Sequence, residues 1–319
     1  MVLERVMRSR RIPVFLLMTL MLNNMVFAVF STATGYSSTE LFSSTGTYTT
    51  CGGLDIDSGS LYFGNYSEIK SLNLSDNSVS TVGSIGGNAG NALVVRHSNL
   101  TYTAYGTSYD EPYPYKMGYI DGEGTYNNQL DEDGIYDAAV SPNGDCYIVA
   151  NPDALGSQIF KYDWTTGATT LIADIGGSSG GLAFDDAGNL YYADQGEGER
   201  DASILKFTAM EVAAGSLDAS DADSFFDIAA GYIVLDDDGV LYATTGWGAT
   251  LAKYDFSTES MIEEIAYGSI GKLMLDGDYI YAIDTDWGSY SSTIQRIVPE
   301  PATIILLGLS GLWLRRRRK

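Results

Sequence analysis

The sequence predicts an all-β protein: a six-bladed β-propeller whose ring is closed by a strand near the N-terminus. Composition is the first observation behind this prediction. The 319 residues include 36 Gly and 23 Tyr, and 45% are hydrophobic whereas 18% are charged. Such a chain has enough apolar material for a core, so it is not a disordered acidic chain. The abundance of Gly and Tyr favours many short strands joined by tight turns.

An internal repeat is the second observation. Each copy has a small residue, an apolar strand, an Asp/Asn/Gly turn and a second strand, as in "GGLAFDDAGNLYYA". The six copies span residues 52–63, 91–104, 137–150, 180–193, 231–244 and 271–283. A third strand such as "SQIFKYDW" follows each copy, and a fourth such as "TTLIADIG" follows most. Four strands in about 40 residues is typical of a propeller blade.

The last repeat lacks a fourth strand. After "STIQRIV" the sequence continues directly into the C-terminal tail. Residues 38–46, which precede the first repeat, belong to no predicted blade. We therefore expect this N-terminal segment to supply the outer strand of the sixth blade. Such a closure would leave no open seam in the ring.

The N-terminal residues 1–33 are predicted to be a secretory signal peptide. Basic residues from Arg5 to Arg11 precede the apolar run 14–22, and either Ala28 or Ala33 could end the signal. An uncleaved membrane anchor is the alternative, although Asn23 and Asn24 interrupt the apolar stretch. The predicted propeller domain then covers residues 34–297.

Charge is distributed very unevenly along the chain. The net charge is −23, and the two ends contain nine of the 18 Lys and Arg but only two of the 41 acids. The propeller region therefore has nine bases against 39 acids, a formal charge of −30. This excludes nucleic-acid binding through phosphates, which needs a basic surface. The domain should repel anionic membranes and attract cations.

Residues 298–319 have the layout of a processed sorting tail. A short motif comes first, made of Val298, Pro299, Glu300 and Pro301. An apolar run, 302–314, follows; as a helix it would span about 20 Å, shorter than a bilayer core of about 30 Å. A basic cluster ends the tail, and it includes Arg315, Arg316, Arg317 and Arg318.

This tail resembles the PEP-CTERM sorting signal of Gram-negative bacteria that make an exopolysaccharide matrix. The resemblance implies recognition by an exosortase, a membrane-embedded cysteine protease-transpeptidase. It also implies Sec export, insertion of the tail as a transmembrane helix, and final placement at the cell surface or in the extracellular matrix. A permanent tail anchor is the alternative. The resemblance covers the tail alone and does not say what the propeller does.

No motif in the propeller region predicts a cofactor. The Asp-rich stretches lack the Glu that ends an EF-hand loop: position twelve is Tyr66 counted from Asp55, and Trp247 counted from Asp236. We interpret them as turns between the first two strands of a blade, which leaves a Ca²⁺ site elsewhere open.

Three residues that often carry chemistry are predicted to be structural. His97 is the sole histidine, so it cannot form a histidine cluster. Cys51 and Cys146 lie in non-adjacent predicted blades, so we expect two buried thiols, with a disulfide as the alternative.

The loops after the second strands are the candidate ligand face. They gather aromatic rings and carboxylates, a combination that suits sugars or a cation. The candidate residues are Tyr105, Tyr109, Tyr113, Asp194, Trp247, Asp284, Asp286, Trp287 and Tyr290.

Two functions follow from these observations. The first is an exported, non-enzymatic propeller that binds a polysaccharide, a cation or another protein. The second rests on a resemblance: the stretch "GLAFDDAGNLYYAD" (181–194) resembles NHL- and lactonase-like propellers. It implies a metal-dependent lactonase or sugar-dehydrogenase-like enzyme. Because that stretch specifies strands and a turn, it transfers no catalytic residue, and the sequence favours the binding protein.

Overall fold

The computed structural model describes residues 29–300 apart from 45–50, 86–87, 107–113, 153–155, 197–199 and 247. Its strands form six sheets, each with at least four strands in antiparallel order. The predicted six-bladed propeller is therefore confirmed. The predicted signal peptide falls mostly outside the described residues, as does the sorting tail beyond Glu300.

Blades one to three each begin with the strand nearest the central channel. Blade one is β3 (Cys51–Asp57), β4 (Ser60–Asn65), β5 (Glu68–Asn73) and β6 (Val79–Ser84). Blade two is β7 (Asn88–His97), β8 (Leu100–Gly106), β9 (Pro114–Ile120) and β10 (Tyr126–Asp133). Blade three is β11 (Asp137–Val140), β12 (Cys146–Ala150), β13 (Gln158–Tyr162) and β14 (Thr169–Asp174), with β18 (Leu217–Asp218) added in parallel at its outer edge.

Blades four to six continue the same order. Blade four is β15 (Leu182–Phe184), β16 (Leu190–Asp194), β17 (Ser203–Phe207) and β19 (Asp223–Phe225), with helix α1 (Ala209–Ala214) between its last two strands. Blade five is β20 (Ala230–Leu235), β21 (Leu241–Thr245), β22 (Thr250–Asp255) and β23 (Ser260–Tyr267), joined by β1 (Ser31–Thr32). Blade six is β24 (Ile270–Asp276), β25 (Tyr279–Asp286), β26 (Ser291–Pro299) and β2 (Tyr36–Ser43).

The N-terminal segment closes the ring, as the missing fourth strand predicts. Strand β2 pairs antiparallel with β26, from Tyr36 opposite Pro299 to Ser43 opposite Thr293. The strand begins two residues earlier than the predicted segment 38–46. Just before it, β1 pairs with the end of β23, so one stretch of chain joins blade five to blade six.

The two candidate signal cleavage sites have different consequences for β1. Ser31 and Thr32 lie inside the predicted signal peptide and opposite Tyr267 and Ala266. Cleavage after Ala28 would keep this strand, whereas cleavage after Ala33 would remove it.

The hydrophobic core is divided into six clusters, one between each pair of neighbouring blades. Second strands are the most buried because they pack against a blade on both faces: every residue of β12 and of β16 is buried. Burial of both faces explains why these strands consist mainly of apolar and aromatic residues without a polar alternation.

The Asp-rich stretches are turns, as predicted. In blade four, Asp185 Oδ1 accepts the backbone N–H of Asn189 at 2.8 Å and Asp185 Oδ2 accepts the Asn189 side-chain amide at 2.8 Å. In blade five, Asp236 Oδ1 accepts the N–H of Val240 at 2.8 Å. Each carboxylate thus satisfies backbone donors that the turn leaves unpaired.

The structural roles expected for the histidine and the cysteines are confirmed. The His97 ring stacks on Trp164 with 4.3 Å between centroids and 7° between planes. Cys51 and Cys146 are buried free thiols in blades one and three. Burial raises the pKa of the Cys51 thiol to about 12, and burial likewise raises the pKa of Cys146. Both thiols are therefore protonated and unreactive at neutral pH.

Among the residues that the structure describes, no helix is long and apolar enough to cross a membrane.

Candidate ligand face and central channel

The loops between second and third strands lie at the same end of the ring as the crossovers between blades, because the strands of every blade alternate in direction. We call this end the crossover face. The turns between first and second strands lie at the opposite end.

The structure describes some of the predicted ligand-face residues and not others. Tyr109, Tyr113 and Trp247 lie outside the described residues, and Tyr105 is described only as a backbone position in β8. The described members of the set are in blades four and six: Asp194, Asp284, Asp286, Trp287 and Tyr290. Blade five separates these two blades, so they form two different environments.

Asp194 in blade four is a structural residue. It is 0% exposed, and its carboxylate accepts Arg200 Nε–H at 2.7 Å and Arg200 Nη2–H at 3.1 Å. The backbone N–H of Gly196 donates to the same group at 3.0 Å. A buried carboxylate needs such partners, and these contacts occupy both of its oxygens. The prediction that Asp194 faces a ligand is wrong, because its carboxylate is fully buried and paired with Arg200.

Blade six presents an exposed aromatic pair on the crossover face. The Trp287 side chain is 48% exposed and that of Tyr290 is 43% exposed. Their ring centroids are 6.4 Å apart at an interplanar angle of 88°. We define the blade-six patch as these two residues with Ser269, Asp284 and Asp286.

Hydrogen bonds fix the shape of the blade-six patch. Trp287 Nε1–H donates to Ser269 Oγ at 2.9 Å, which links the loop after β25 to the crossover before β24. Asp286 accepts the Gly288 N–H at 2.8 Å and the Ser289 hydroxyl at 2.7 Å. The indole is therefore held by its polar edge while part of its surface stays open to solvent.

Asp284 lies beneath this loop and is partly buried. Its Oδ1 accepts the Ser269 N–H at 2.7 Å. Burial raises the pKa of the Asp284 carboxyl, and the nearby charge of Asp286 adds to the effect, although the Ser269 hydrogen bond opposes it. The Asp284 carboxylate thus stabilises the crossover next to the loop and is not an exposed charge available to a ligand.

The central channel is lined by the first strands of all six blades. It contains a cavity of about 240 Å³ with mostly aliphatic walls. Lys272 of blade six forms an ion pair with Asp137 of blade three, the blade opposite in the ring. Asp137 also accepts the Leu182 N–H at 3.0 Å, and the Lys272 ammonium lies 5.7 Å from the centre of the Tyr232 ring.

No local sequence pattern predicts this ion pair. The available signal was a single Lys in the first strand of a blade, "GKLMLD", in a domain poor in Lys. Nothing local in the sequence connects Lys272 with Asp137, because 135 positions separate them.

Asp55 is a second carboxyl in the channel wall, and it is partly buried. Its Oδ2 accepts the Arg96 N–H at 2.5 Å and its Oδ1 accepts the Ile56 N–H at 2.8 Å. Burial raises the pKa of Asp55 to about 6, against the opposing influence of these hydrogen bonds and of the Lys272 charge. The group therefore titrates in a mildly acidic range.

The calcium site that the sequence left open is not seen among the described residues. Calcium needs six to eight oxygen ligands. Within the described ranges, no group of three or more His, Cys, Asp or Glu is placed to hold a metal ion. In the channel, Asp137 is paired with Lys272, and both oxygens of Asp55 accept backbone N–H groups.

The comparisons with known proteins address the tail and the fold separately. Residues 298–319 match the PEP-CTERM protein-sorting motif. The sorting motif predicted from the tail is thus confirmed, and it implies an exported protein that is anchored in the membrane until an exosortase processes it. No curated protein sequence matches the chain.

Several solved structures share the propeller fold. A gluconolactonase from Xanthomonas campestris aligns with a TM-score of 0.59 and 13% identity, over 83% of this chain and 90% of that one. The calcium-binding protein regucalcin from Agrobacterium tumefaciens gives 0.59 and 12%, over 83% and 96%. A PQQ-bound aldose sugar dehydrogenase from Streptomyces coelicolor gives 0.57 and 12%, over 84% and 100%. At this level of identity the likeness establishes the fold alone.

Proposed function

We propose that this is an exported surface or matrix protein that binds an uncharged polysaccharide through the blade-six patch. Export would use the Sec pathway, and an exosortase would process the tail. The observation that carries the binding role is the exposed Trp287–Tyr290 ring pair, in which the indole N–H is bonded to Ser269. The sorting motif supports the location, because it implies export from the cytoplasm.

The chemistry of the patch suits a sugar ring. The C–H face of a pyranose packs on an aromatic ring, and its hydroxyls hydrogen-bond to carboxylates and hydroxyls nearby. Trp287 and Tyr290 offer aromatic surface at a right angle, and Asp286 and Ser269 lie beside them. The strongly negative charge of the domain favours a neutral polymer over an anionic one.

The rigidity of the loop supports the same proposal. A binding surface that is already ordered loses less conformational entropy when its ligand arrives. Trp287 is tied to Ser269, and Asp286 braces the turn through Gly288 and Ser289.

Substitution of Trp287 tests the proposed binding site. We expect Trp287→Ala to raise the dissociation constant for a soluble uncharged glucan at least tenfold, which corresponds to about 1.4 kcal/mol. Isothermal titration calorimetry gives this constant. Because the indole is half exposed, the melting temperature should change little.

Tyr279→Ala is the matched control, because Tyr279 is an exposed aromatic residue of the same blade at the opposite end of the ring. It should bind the glucan like the unchanged protein. Equal affinity of the Trp287 and Tyr279 variants would remove the blade-six patch as the binding site.

The lactonase-like enzyme remains the competing function. The chain shares its fold with a gluconolactonase. A metal-dependent lactonase, however, requires oxygen ligands that converge in the channel. The channel carboxylates of the described residues already have partners, and its walls are aliphatic. Turnover of gluconolactone by the purified chain would favour this alternative over the binding protein.

A further inference from the structure

The first three residues of the sorting motif are part of the propeller. Val298 and Pro299 are the last residues of β26, where they lie opposite Ser37 and Tyr36 of β2. Glu300 continues the pairing, since its N–H donates to the carbonyl of Gly35 at 2.7 Å. Three of the four motif residues are therefore already paired with the segment that closes the ring.

The pairing pattern explains how a proline fits into this strand. Antiparallel strands alternate between hydrogen-bonded and non-hydrogen-bonded residue pairs. Because Glu300 is bonded to Gly35, the Tyr36–Pro299 pair is non-bonded and the Ser37–Val298 pair is bonded. Pro299 lacks an N–H but occupies a position that needs none toward β2.

The start of β2 is firmly attached to blade five. The Tyr36 side chain is 6% exposed and packs in the core cluster between blades five and six. Its hydroxyl donates to Glu263 Oε1 at 2.5 Å, and the ammonium of Lys253 lies 5.6 Å from the centre of its ring. The strand that holds the sorting motif is therefore anchored independently of the motif.

Very few residues separate this strand from the predicted membrane segment. Only Pro301 separates Glu300 from the apolar run that starts at Ala302. An enzyme that binds an extended peptide uses the backbone N–H and C=O groups of that peptide. In the folded propeller, backbone groups of Val298 are engaged by β2 and the N–H of Glu300 by Gly35 just before it.

We propose that β2 is a clasp that masks the sorting motif, and that the processing enzyme binds the motif only after the Tyr36–Pro299 end of the sheet opens. The enzyme and β2 compete for the same edge of the same strand. The proposal rests on exosortase processing of this chain. It predicts that the opening of a few strand pairs sets the rate of tail removal.

Two neighbouring proline substitutions test the clasp. Ser37→Pro removes the N–H that bonds Val298, whereas Ser38→Pro removes one that points away from β26 at the outer edge of the blade. Both side chains are exposed. In the full chain, expressed with its own export and sorting machinery, we expect Ser37→Pro to speed tail loss at least threefold and Ser38→Pro to leave it unchanged. Pulse-labelling followed by intact-mass analysis measures the rate.

A spacer gives an independent test that preserves the fold. Four Gly/Ser residues between Ile297 and Val298 move the motif out of the sheet, while the new residues can take its place opposite Tyr36 and Ser37. We expect faster tail loss than in the unchanged chain. The same spacer between Thr258 and Glu259, in the turn after β22, is the control and should not change the rate.

The outcomes separate the clasp from the processing on which it rests. An unchanged chain that never loses residues 302–319 would contradict processing itself. Tail loss at one common rate in the unchanged chain, in Ser37→Pro and in the Ile297–Val298 spacer variant would overturn the clasp and leave processing intact.

Discussion

The second strands of blades four and six carry aspartates at equivalent positions with different surroundings. Asp194 and Asp284 each lie four residues after a buried strand residue, Leu190 and Ile280. In blade four, Arg200 covers the aspartate with two hydrogen bonds. In blade six, the aspartate accepts the backbone N–H of Ser269 instead, and the loop above it carries the exposed Trp287.

The same strand–turn–strand repeat therefore gives two arrangements after its second strand. Blade four has a fully buried aspartate, whereas blade six has exposed aromatic side chains. The aspartate carboxylate needs a partner in both cases, because it is partly or fully buried. In blade four an arginine side chain satisfies it, and the carboxylate is fully buried. In blade six a backbone amide from the neighbouring crossover satisfies it, and Trp287 in the loop stays exposed.

Removal of the arginine should produce the largest effect on stability. Arg200→Met leaves the Asp194 carboxylate buried without its cation, so we expect the free energy of unfolding to fall by about 3 kcal/mol. Urea denaturation at neutral pH measures this change. The double variant Asp194→Asn with Arg200→Met should regain part of the loss, since it removes the buried charge. A loss below about 1 kcal/mol for Arg200→Met would contradict the structural role of the pair.

Asp55, in the channel, should make the free energy of unfolding fall as the pH rises, whereas most carboxyl groups have the opposite effect. Its folded pKa, about 6, is above its unfolded value, so the folded state binds the extra proton. Stability relative to the Asp55→Asn variant should therefore fall as the pH rises from about 4 to about 6, by up to about 3 kcal/mol. Urea denaturation of both proteins across this range measures the difference. A difference that does not change with pH would contradict the raised pKa of Asp55.

Asp284 should show the smallest effect, of the same sign as Asp55. Asp284→Asn keeps an acceptor for the Ser269 N–H, so we expect a change below about 1 kcal/mol in the free energy of unfolding. Because the pKa of Asp284 is raised, the unchanged protein should lose stability relative to the variant as the pH rises from about 4 through the folded pKa. Thermal melts at several pH values provide the comparison. If Asp284→Asn lowered the free energy of unfolding at neutral pH as much as Arg200→Met does, the proposed difference between the two loops would be contradicted.

Much of the ring was predictable because its features repeat. The six copies of the strand–turn–strand unit place Leu61, Leu190 and Leu241 at matching positions, and each of them is fully buried. Counting strands predicted β2, since a blade without a fourth strand would leave an open edge. The bounds of β2 were less certain, because its exposed serines give no periodic pattern.

Features that occur once were not predictable. The Lys272–Asp137 pair joins opposite blades, and Arg200 covers Asp194 through a loop with no signature in the sequence. Strand β1 lies in a stretch whose composition fits a signal peptide as well as a strand. Strand β18 and helix α1 are additions to blades three and four that the repeat does not contain. Each depends on tertiary contacts that leave no local pattern.

The position of β26 between β25 and β2 has a mechanical consequence. A chain held by its C-terminal end would transmit force through Glu300 into a strand that is bonded on both sides. A pull along the strand axis loads both rows of hydrogen bonds at once, in shear, and so resists extraction far better than a sideways pull that breaks the pairs singly. The same edge can thus yield to slow peeling from its end and still withstand sudden tension along its length.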